Sequence, residues 1–221
     1  MKNNSNLIVI WDWNGTLVDD AFLFVNLMNS YLLSHGLPTI SLTDYRKHFC
    51  FPVSKYYKSL GFCLSEQEFR SLSLDFIQKY RQKMFLPSLV SGAKKIVLWL
   101  YRNKYKQFLV SAQEQSLLNQ SVQHYRLVPF FGAVLGLNNN FAISKKDLLL
   151  SVVRERCTDK DVLVVIGDTL HDYEVAASVN AACCLVSYGH NSKARLQKTG
   201  AFVANNLGEV RSFLQTIIQE Y

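Results

Sequence analysis

At 221 residues, 49% of them hydrophobic and 19% charged, the chain is long enough to bury a full core, and its composition excludes a disordered or repetitive protein. No apolar stretch reaches bilayer length, and the polar opening Met1-Lys2-Asn3-Asn4-Ser5-Asn6 does not read as a secretory signal, so no membrane partner is expected. The 24 Lys and Arg against 17 Asp and Glu leave a net charge of +7, which suits an anionic partner but leaves nucleic acid, a phosphorylated metabolite and simple solubility all open.

The first element is the apolar run Leu7-Ile8-Val9-Ile10-Trp11, which reads as a strand buried on both faces and ends on Asp12, before the turn at Gly15. A helix is predicted over 21–33, with Asp19 and Asp20 at its start and Gly36 and Pro38 at its stop. Further helical patterns follow at 42–49, 53–60 and 65–85, punctuated by Pro52 and Gly61 and containing no convincing strand. From Pro87 the pattern alternates. Helices are predicted at 93–101, 144–156, 173–179 and 208–219, and strands at 107–111, 133–137, 161–166, 181–187 and 201–204.

This order predicts an α/β fold, a doubly wound parallel sheet of Rossmann type with an inserted all-helical cap domain. Residues 1–18 and 87–221 are expected to form the catalytic core domain and 19–86 the cap. The five cysteines are odd in number, lack Cys-x-x-Cys spacing and read as reduced, so a cytoplasmic location is expected. No coiled-coil repeat or dimer stripe stands out, and a monomer or weak dimer is expected.

A second apolar run, Val162-Leu163-Val164-Val165-Ile166, ends on Gly167-Asp168, with Asp172 one turn later. Side by side, the two strands would gather Asp12, Asp168 and Asp172 at the carboxyl edge of the sheet, where ligands bind in open α/β folds. Clustered carboxylates repel, and a hard cation such as magnesium relieves them.

Asp12-Trp13-Asn14-Gly15-Thr16-Leu17 together with Gly167-Asp168-Thr169-Leu170-His171-Asp172 resembles the first and fourth motifs of the haloacid dehalogenase-like hydrolases. The cap after the first motif and the stretch Val186-Ser187-Tyr188-Gly189-His190-Asn191-Ser192 are similar to the phosphoglycolate phosphatase-like branch. The resemblance implies a magnesium-dependent phosphatase acting on a small anionic phosphorylated metabolite, phosphoglycolate-like or a sugar phosphate. Asp12 would attack phosphorus and form an aspartyl-phosphate that water hydrolyses. Magnesium would be held by Asp12, the backbone carbonyl of Asn14 and Asp168, with Asp172 as support or a further ligand, and Thr16 would orient the turn in the substrate-binding region.

Ser111, with Ala112 beside it, resembles the family's phosphate-binding Ser or Thr. Ser111-Ala112-Gln113-Glu114 also fits a capping box. The third-motif lysine, which would stabilise the transferring phosphoryl group, is Lys145 or Lys146, with Lys145 preferred as the catalytic residue for its Ser-Lys context and Lys146 as a neighbouring phosphate contact. His35, His171 and His190 lack a second histidine at ligand spacing and read as surface or packing residues. The basic and aromatic stretch from Tyr45 to Lys58 is explained by two short amphipathic helices better than by nucleic acid. Arg46, Lys55 or Lys58 would be the ones to reach a second anionic group on the substrate.

Asn14 departs from the phosphatase pattern, which has an aspartate there to protonate the leaving alcohol and activate water. An amide cannot exchange a proton at neutral pH. Three readings follow: a phosphatase for good leaving groups or with a recruited acid such as His171; a phosphonatase- or dehalogenase-type hydrolase; or a low-activity magnesium-binding relic. The first leads, because the nucleophile, the metal carboxylates and the cap are all intact.

Overall fold

The computed structural model describes residues 7–137 and 144–220. Among the described residues six strands, β1 (Leu7–Trp11), β2 (Lys106–Glu114), β3 (Ala133–Leu137), β4 (Val162–Gly167), β5 (Ala182–Val186) and β6 (Phe202–Ala204), form one sheet in the order β3-β2-β1-β4-β5-β6. Every pairing is parallel.

All five side chains of β1 are buried because both faces of the strand are covered. Leu7, Val9 and Trp11 pack toward α5 (Ala93–Arg102) and α10 (Leu207–Glu220). Ile8 and Ile10 pack toward α7 (Lys145–Arg156) and α8 (Leu170–Ala177). The alternation is the period of two expected of a strand. Trp11 lies level with Leu109 of β2 and Ile166 of β4; β1 and β4 end within a residue of each other, while β2 runs on to Glu114. The chain reverses its winding direction beside β1, which makes this edge the ligand-binding position of such folds.

Between β1 and α5 lie α1 (Ala21–Ser34), α2 (Leu42–His48), α3 (Val53–Ser59) and α4 (Glu66–Lys83), with no strand among them. They share an aromatic core that includes Tyr31, Tyr45, Phe49, Tyr56, Tyr57 and Phe62. A separate cluster joins Leu23 and Leu27 of α1 and Tyr80 and Met84 to Leu117, which belongs to α6 (Gln115–His124) beside the sheet.

Most elements lie within a residue or two of their expected bounds. The exceptions are local. Strand β2 continues to Glu114, and α6, unanticipated, begins immediately after it with Glu114 as its cap. Helix α8 starts three residues early, at Leu170, because Thr169 caps it. A short α9 (Lys193–Leu196) was also unanticipated. Asp20 precedes α1 but makes no side-chain capping bond to it.

Candidate active site

The three carboxylates are set by the ends of β1 and β4 and by the start of α8. The Asp12 N–H donates to the Ile166 carbonyl at 2.9 Å, extending the β1–β4 ladder by one residue. Asp168 follows β4. Asp172 sits in the first turn of α8 in a capping box with Thr169. Gly15, at φ 72°, lies so close to the cluster that a Cβ there would overlap Asp168 Oδ2 and the His190 ring. A Cβ at Gly167 would overlap the Asp172 carboxyl group.

Asp12, Asp168 and Asp172 are 8%, 0% and 1% exposed, and each offers an oxygen within 4.8 Å of the others. Lys145 Nζ lies between two of them, donating to Asp12 Oδ1 at 2.5 Å and to Asp172 Oδ1 at 2.6 Å. Asp172 Oδ2 accepts from the N–H groups of Asp168 and Thr169 and from the Thr169 hydroxyl, so both of its oxygens are engaged. Asp168 accepts from Thr16 Oγ1 at 3.1 Å and from the His190 N–H at 2.5 Å.

Burial, with Asp12 and Asp172 close by, pushes the Asp168 carboxyl up to about 8 despite the opposing charge of His190. Burial also raises Asp12, against the pull of Lys145. Asp172 is buried as well, yet Lys145 and its Thr169 bonds hold it below the ordinary carboxylate range. Burial alone would lower the Lys145 ammonium, and Asp12 and Asp172 keep it above its usual value. One ammonium does not balance three buried carboxylates, so Asp12 and Asp168 hold their protons more tightly than usual, on hard oxygen donors that a cation could take in the protons' place. The cluster therefore fits a divalent cation such as magnesium. Asp172, which accepts four hydrogen bonds where Asp168 accepts two, is the least available of the three.

Asn14 is held differently from a free amide. Its Nδ2 donates to Asp20 Oδ2 at 2.5 Å and to Tyr80 Oη at 2.7 Å, and Tyr80 donates to the same Asp20 oxygen at 3.0 Å. A carboxylate at that distance requires a donor, which fixes the amide's orientation. Both N–H bonds are used, so only the carbonyl oxygen of Asn14 remains to face a ligand. Asp20 is fully buried, accepts from the Gly15 N–H at 2.9 Å, and has His190 Nε2 at 3.4 Å. His190 Nδ1 is 2.8 Å from Tyr45 Oη. Asp20, Tyr80 and His190 were not anticipated as site residues. The sequence alone assigns Asp20 to the start of a helix and His190 to the surface or to packing.

The carboxylates, Lys145 and Asn14 line one cavity of about 790 Å³, together with Ser111 and Ala112 and side chains of α1 to α4. Ser111 does not cap a helix. Its Oγ accepts from the Gln113 N–H at 3.2 Å, while Glu114 takes the N–H groups of Ser116 and Leu117, which overturns the capping-box alternative. Lys146 is exposed and Thr16 is bound to Asp168, and neither lines the cavity. Lys145 is thus the lysine brought to the cluster. His171 is on the wall, 3.4 Å from Glu174, whereas His35 packs on Phe62 away from it.

Arg46 does not face the cavity. Its guanidinium donates to the carbonyls of Gly189 and Tyr188, and its own carbonyl accepts from the Ser192 N–H. Asn191 and Arg195 donate to the Phe49 carbonyl. These bonds tie the end of α2 to the loop after β5. Lys55 and Lys58 are exposed.

A family model for haloacid dehalogenase-like hydrolases matches residues 9–186. Phosphoglycolate phosphatase 1 of Pseudomonas aeruginosa is 21% identical over 196 residues, covering 83% of this chain and 70% of that protein. The phosphoglycolate phosphatase of Pseudomonas syringae pv. tomato is 22% identical over 192 residues, with the same coverage of 83% and 70%. A predicted phosphatase from Clostridium acetobutylicum superposes with a TM-score of 0.81 at 20% identity, over 96% of this chain and 100% of that one. A haloacid dehalogenase-like family hydrolase from Streptococcus pneumoniae gives a TM-score of 0.79 at 18% identity, over 95% and 98%. With the matched segment running from inside β1 to the end of β5 and so containing both carboxylate-bearing strand ends, the chain belongs to the haloacid dehalogenase-like hydrolases.

Proposed function

We propose that this protein is a magnesium-dependent phosphatase of small phosphomonoesters, with Asp12 as the nucleophile and residues 19–86 acting as a cap over a core made of residues 1–18 and 87–221. The observation that carries the reading is the placement of Asp12 on the cavity wall, 2.5 Å from Lys145 and within the buried cluster completed by Asp168 and Asp172. The names of the Pseudomonas relatives support the reaction class.

In this mechanism an Asp12 carboxylate oxygen attacks phosphorus in line, the bond from phosphorus to the leaving oxygen breaks, and an aspartyl-phosphate forms. Water then attacks phosphorus, releasing inorganic phosphate and restoring the carboxylate. Lys145 holds the nucleophile in place and offers positive charge to the transferring phosphoryl oxygens. Asp12, the Asn14 backbone carbonyl and Asp168 would hold magnesium, which when bound neutralises phosphate charge and lets one anion approach another. Ser111 and Ala112 line the cavity where phosphate oxygens would lie. Asn14, presenting only its carbonyl, can accept a hydrogen bond from the attacking water.

No lysine from residues 19–86 lines the cavity among the described residues, and phosphonate cleavage would need a cap amine there. The test is phosphate release from aryl and alkyl esters with and without magnesium, in wild type and Asp12→Asn. Magnesium-dependent release that disappears in Asp12→Asn is expected. Equal release from the two proteins would refute Asp12 as nucleophile, and no release from any ester would refute the phosphatase reading.

A further inference from the structure

We infer that the cavity is built for phosphate esters of a neutral, hydrogen-bonding phenol, an aryl phosphate, rather than for an ester carrying a second anionic group. The inference rests on the phosphatase reading and names its substrate class from three independent features of the cavity.

The first is the character of the wall. Beyond the carboxylate cluster it is formed largely by aromatic and aliphatic side chains, among them Phe24, Phe49, Tyr57, Phe69, Phe76 and Ile77. A volume of about 790 Å³ suits an aromatic group of one or two rings with substituents. Among the described lining residues the one lysine or arginine is Lys145, already paired with Asp12 and Asp172. The two lining histidines each face a carboxylate, His190 toward Asp20 and His171 toward Glu174, both at 3.4 Å. Glu114 and Glu174 add further negative charge to the wall. A substrate carboxylate or second phosphate would enter this space without a free counter-charge, an expensive desolvation. The basic residues expected to serve it are elsewhere: Arg46 on two backbone carbonyls, Lys55 and Lys58 in solvent.

The second feature is a set of neutral polar atoms with no partner among the described residues. Among the described residues Tyr56 Oη, Ser73 Oγ and both amide atoms of Gln113 are buried without a hydrogen bond, and all three residues line the cavity. Buried polar atoms are ordinarily satisfied. A hydroxyl or amide substituent on an aromatic ring offers them the partners that a hydrocarbon does not.

The third is Asn14. Its two N–H bonds are taken by Asp20 and Tyr80, so it neither protonates the leaving oxygen nor donates a hydrogen bond to it. The leaving group must depart as an anion. A phenol ionises at roughly 10 and water at roughly 15.7, so a phenolate leaves without help far more readily than a simple alkoxide. When Asp12 attacks, the electron pair of the breaking bond goes to the phenolate oxygen. The proton released as water cleaves the aspartyl-phosphate ends on the phenolate, giving phenol and hydrogen phosphate.

The test has a binding arm and a turnover arm. Phenylphosphonate and phosphonoacetate present the same phosphonyl head, one with a neutral ring and the other with a carboxylate, and neither releases phosphate. As competitive inhibitors of the wild-type protein with magnesium, phenylphosphonate is expected to bind at least tenfold more tightly. In turnover, phenyl and 4-hydroxyphenyl phosphate are expected to exceed 2-phosphoglycolate and glucose 6-phosphate at least 100-fold in kcat/KM. Tyr56→Phe should raise KM for 4-hydroxyphenyl phosphate more than for phenyl phosphate, and Ser73→Arg should narrow the gap between the two inhibitors. Equal or tighter binding of phosphonoacetate, or preferred hydrolysis of phosphoglycolate, overturns this inference while leaving the phosphatase reading standing. Absence of magnesium-dependent release from every ester overturns both.

Discussion

Asn14 and Asp20 together decide what the first motif can do. Asp20 is fully buried and takes the Gly15 N–H as well as the Asn14 amide, so it anchors the turn that carries the nucleophile. Replacing Asn14 with aspartate would set two carboxyl groups at the present 2.5 Å separation, where both cannot ionise and one proton is shared between them. The shared proton is an acid available to a leaving alcohol. Asn14→Asp is therefore expected to increase kcat for alkyl phosphates such as glucose 6-phosphate, by a factor within the ~10²–10⁴ range of general acid catalysis, with a much smaller change for aryl phosphates. Steady-state kinetics on matched alkyl and aryl esters checks it; an equal effect on both would mean that leaving-group protonation is not what Asn14 withholds. Asp12, Asp168 and Asp172 were legible because two close apolar strands and the third lies one turn beyond. Asp20, Tyr80 and His190 were not. They meet across separations of 60 and more residues, and each has an ordinary local reading as a cap, a helix aromatic or a lone histidine.

At the level of elements, the sheet and the insert were readable from periodicity, and the errors fall where one side chain serves two structures. Helix α8 was expected from Tyr173, yet it begins at Leu170 because Asp172, read as a metal-site carboxylate, is also the third residue of the Thr169 capping box. Helix α6 was hidden for the converse reason. Ser111 and Glu114 fit a box on paper, while β2 runs through both positions and Glu114 alone caps the helix. The double use of Asp172 has a measurable consequence. The Thr169 hydroxyl donates to Asp172 Oδ2 at 2.7 Å and accepts from the Asp172 N–H at 3.3 Å, so Thr169→Ala removes the cap and one of the bonds that orient the partner of Lys145. Loss of a cap of this kind costs about 1 kcal/mol, visible as a lower urea midpoint with unchanged m value. Thr169→Ser keeps the hydroxyl and should restore most of it. If alanine and serine behave alike, the hydroxyl is not the stabilising group.

For the whole molecule, the sheet topology gathers charges that the fold alone does not neutralise, and this ties stability to pH and to metal. Burial raises Asp12 and carries Asp168 up to about 8. His190, which burial alone would lower, is raised on balance by Asp20, Asp168 and Asp12. Each of these groups holds its proton more tightly in the folded chain than in the unfolded one. The folded state therefore carries more protons from the ordinary carboxylate range up to about pH 8, and stability falls as pH rises through that window. Asp172 is shifted the other way, so its contribution is complete above the ordinary carboxylate range and does not alter this slope. A divalent cation held by the same carboxylates competes with those protons and binds the folded chain alone. In thermal melts with a chelator, Tm is expected to decline between pH 5.5 and 8. Saturating magnesium should raise Tm more at pH 8 than at pH 6, and Asp168→Asn should flatten the decline and reduce the magnesium response. A metal-free Tm that climbs over this range, or a magnesium shift independent of pH, would show that the Asp12, Asp168 and Asp172 cluster is not where proton and cation compete.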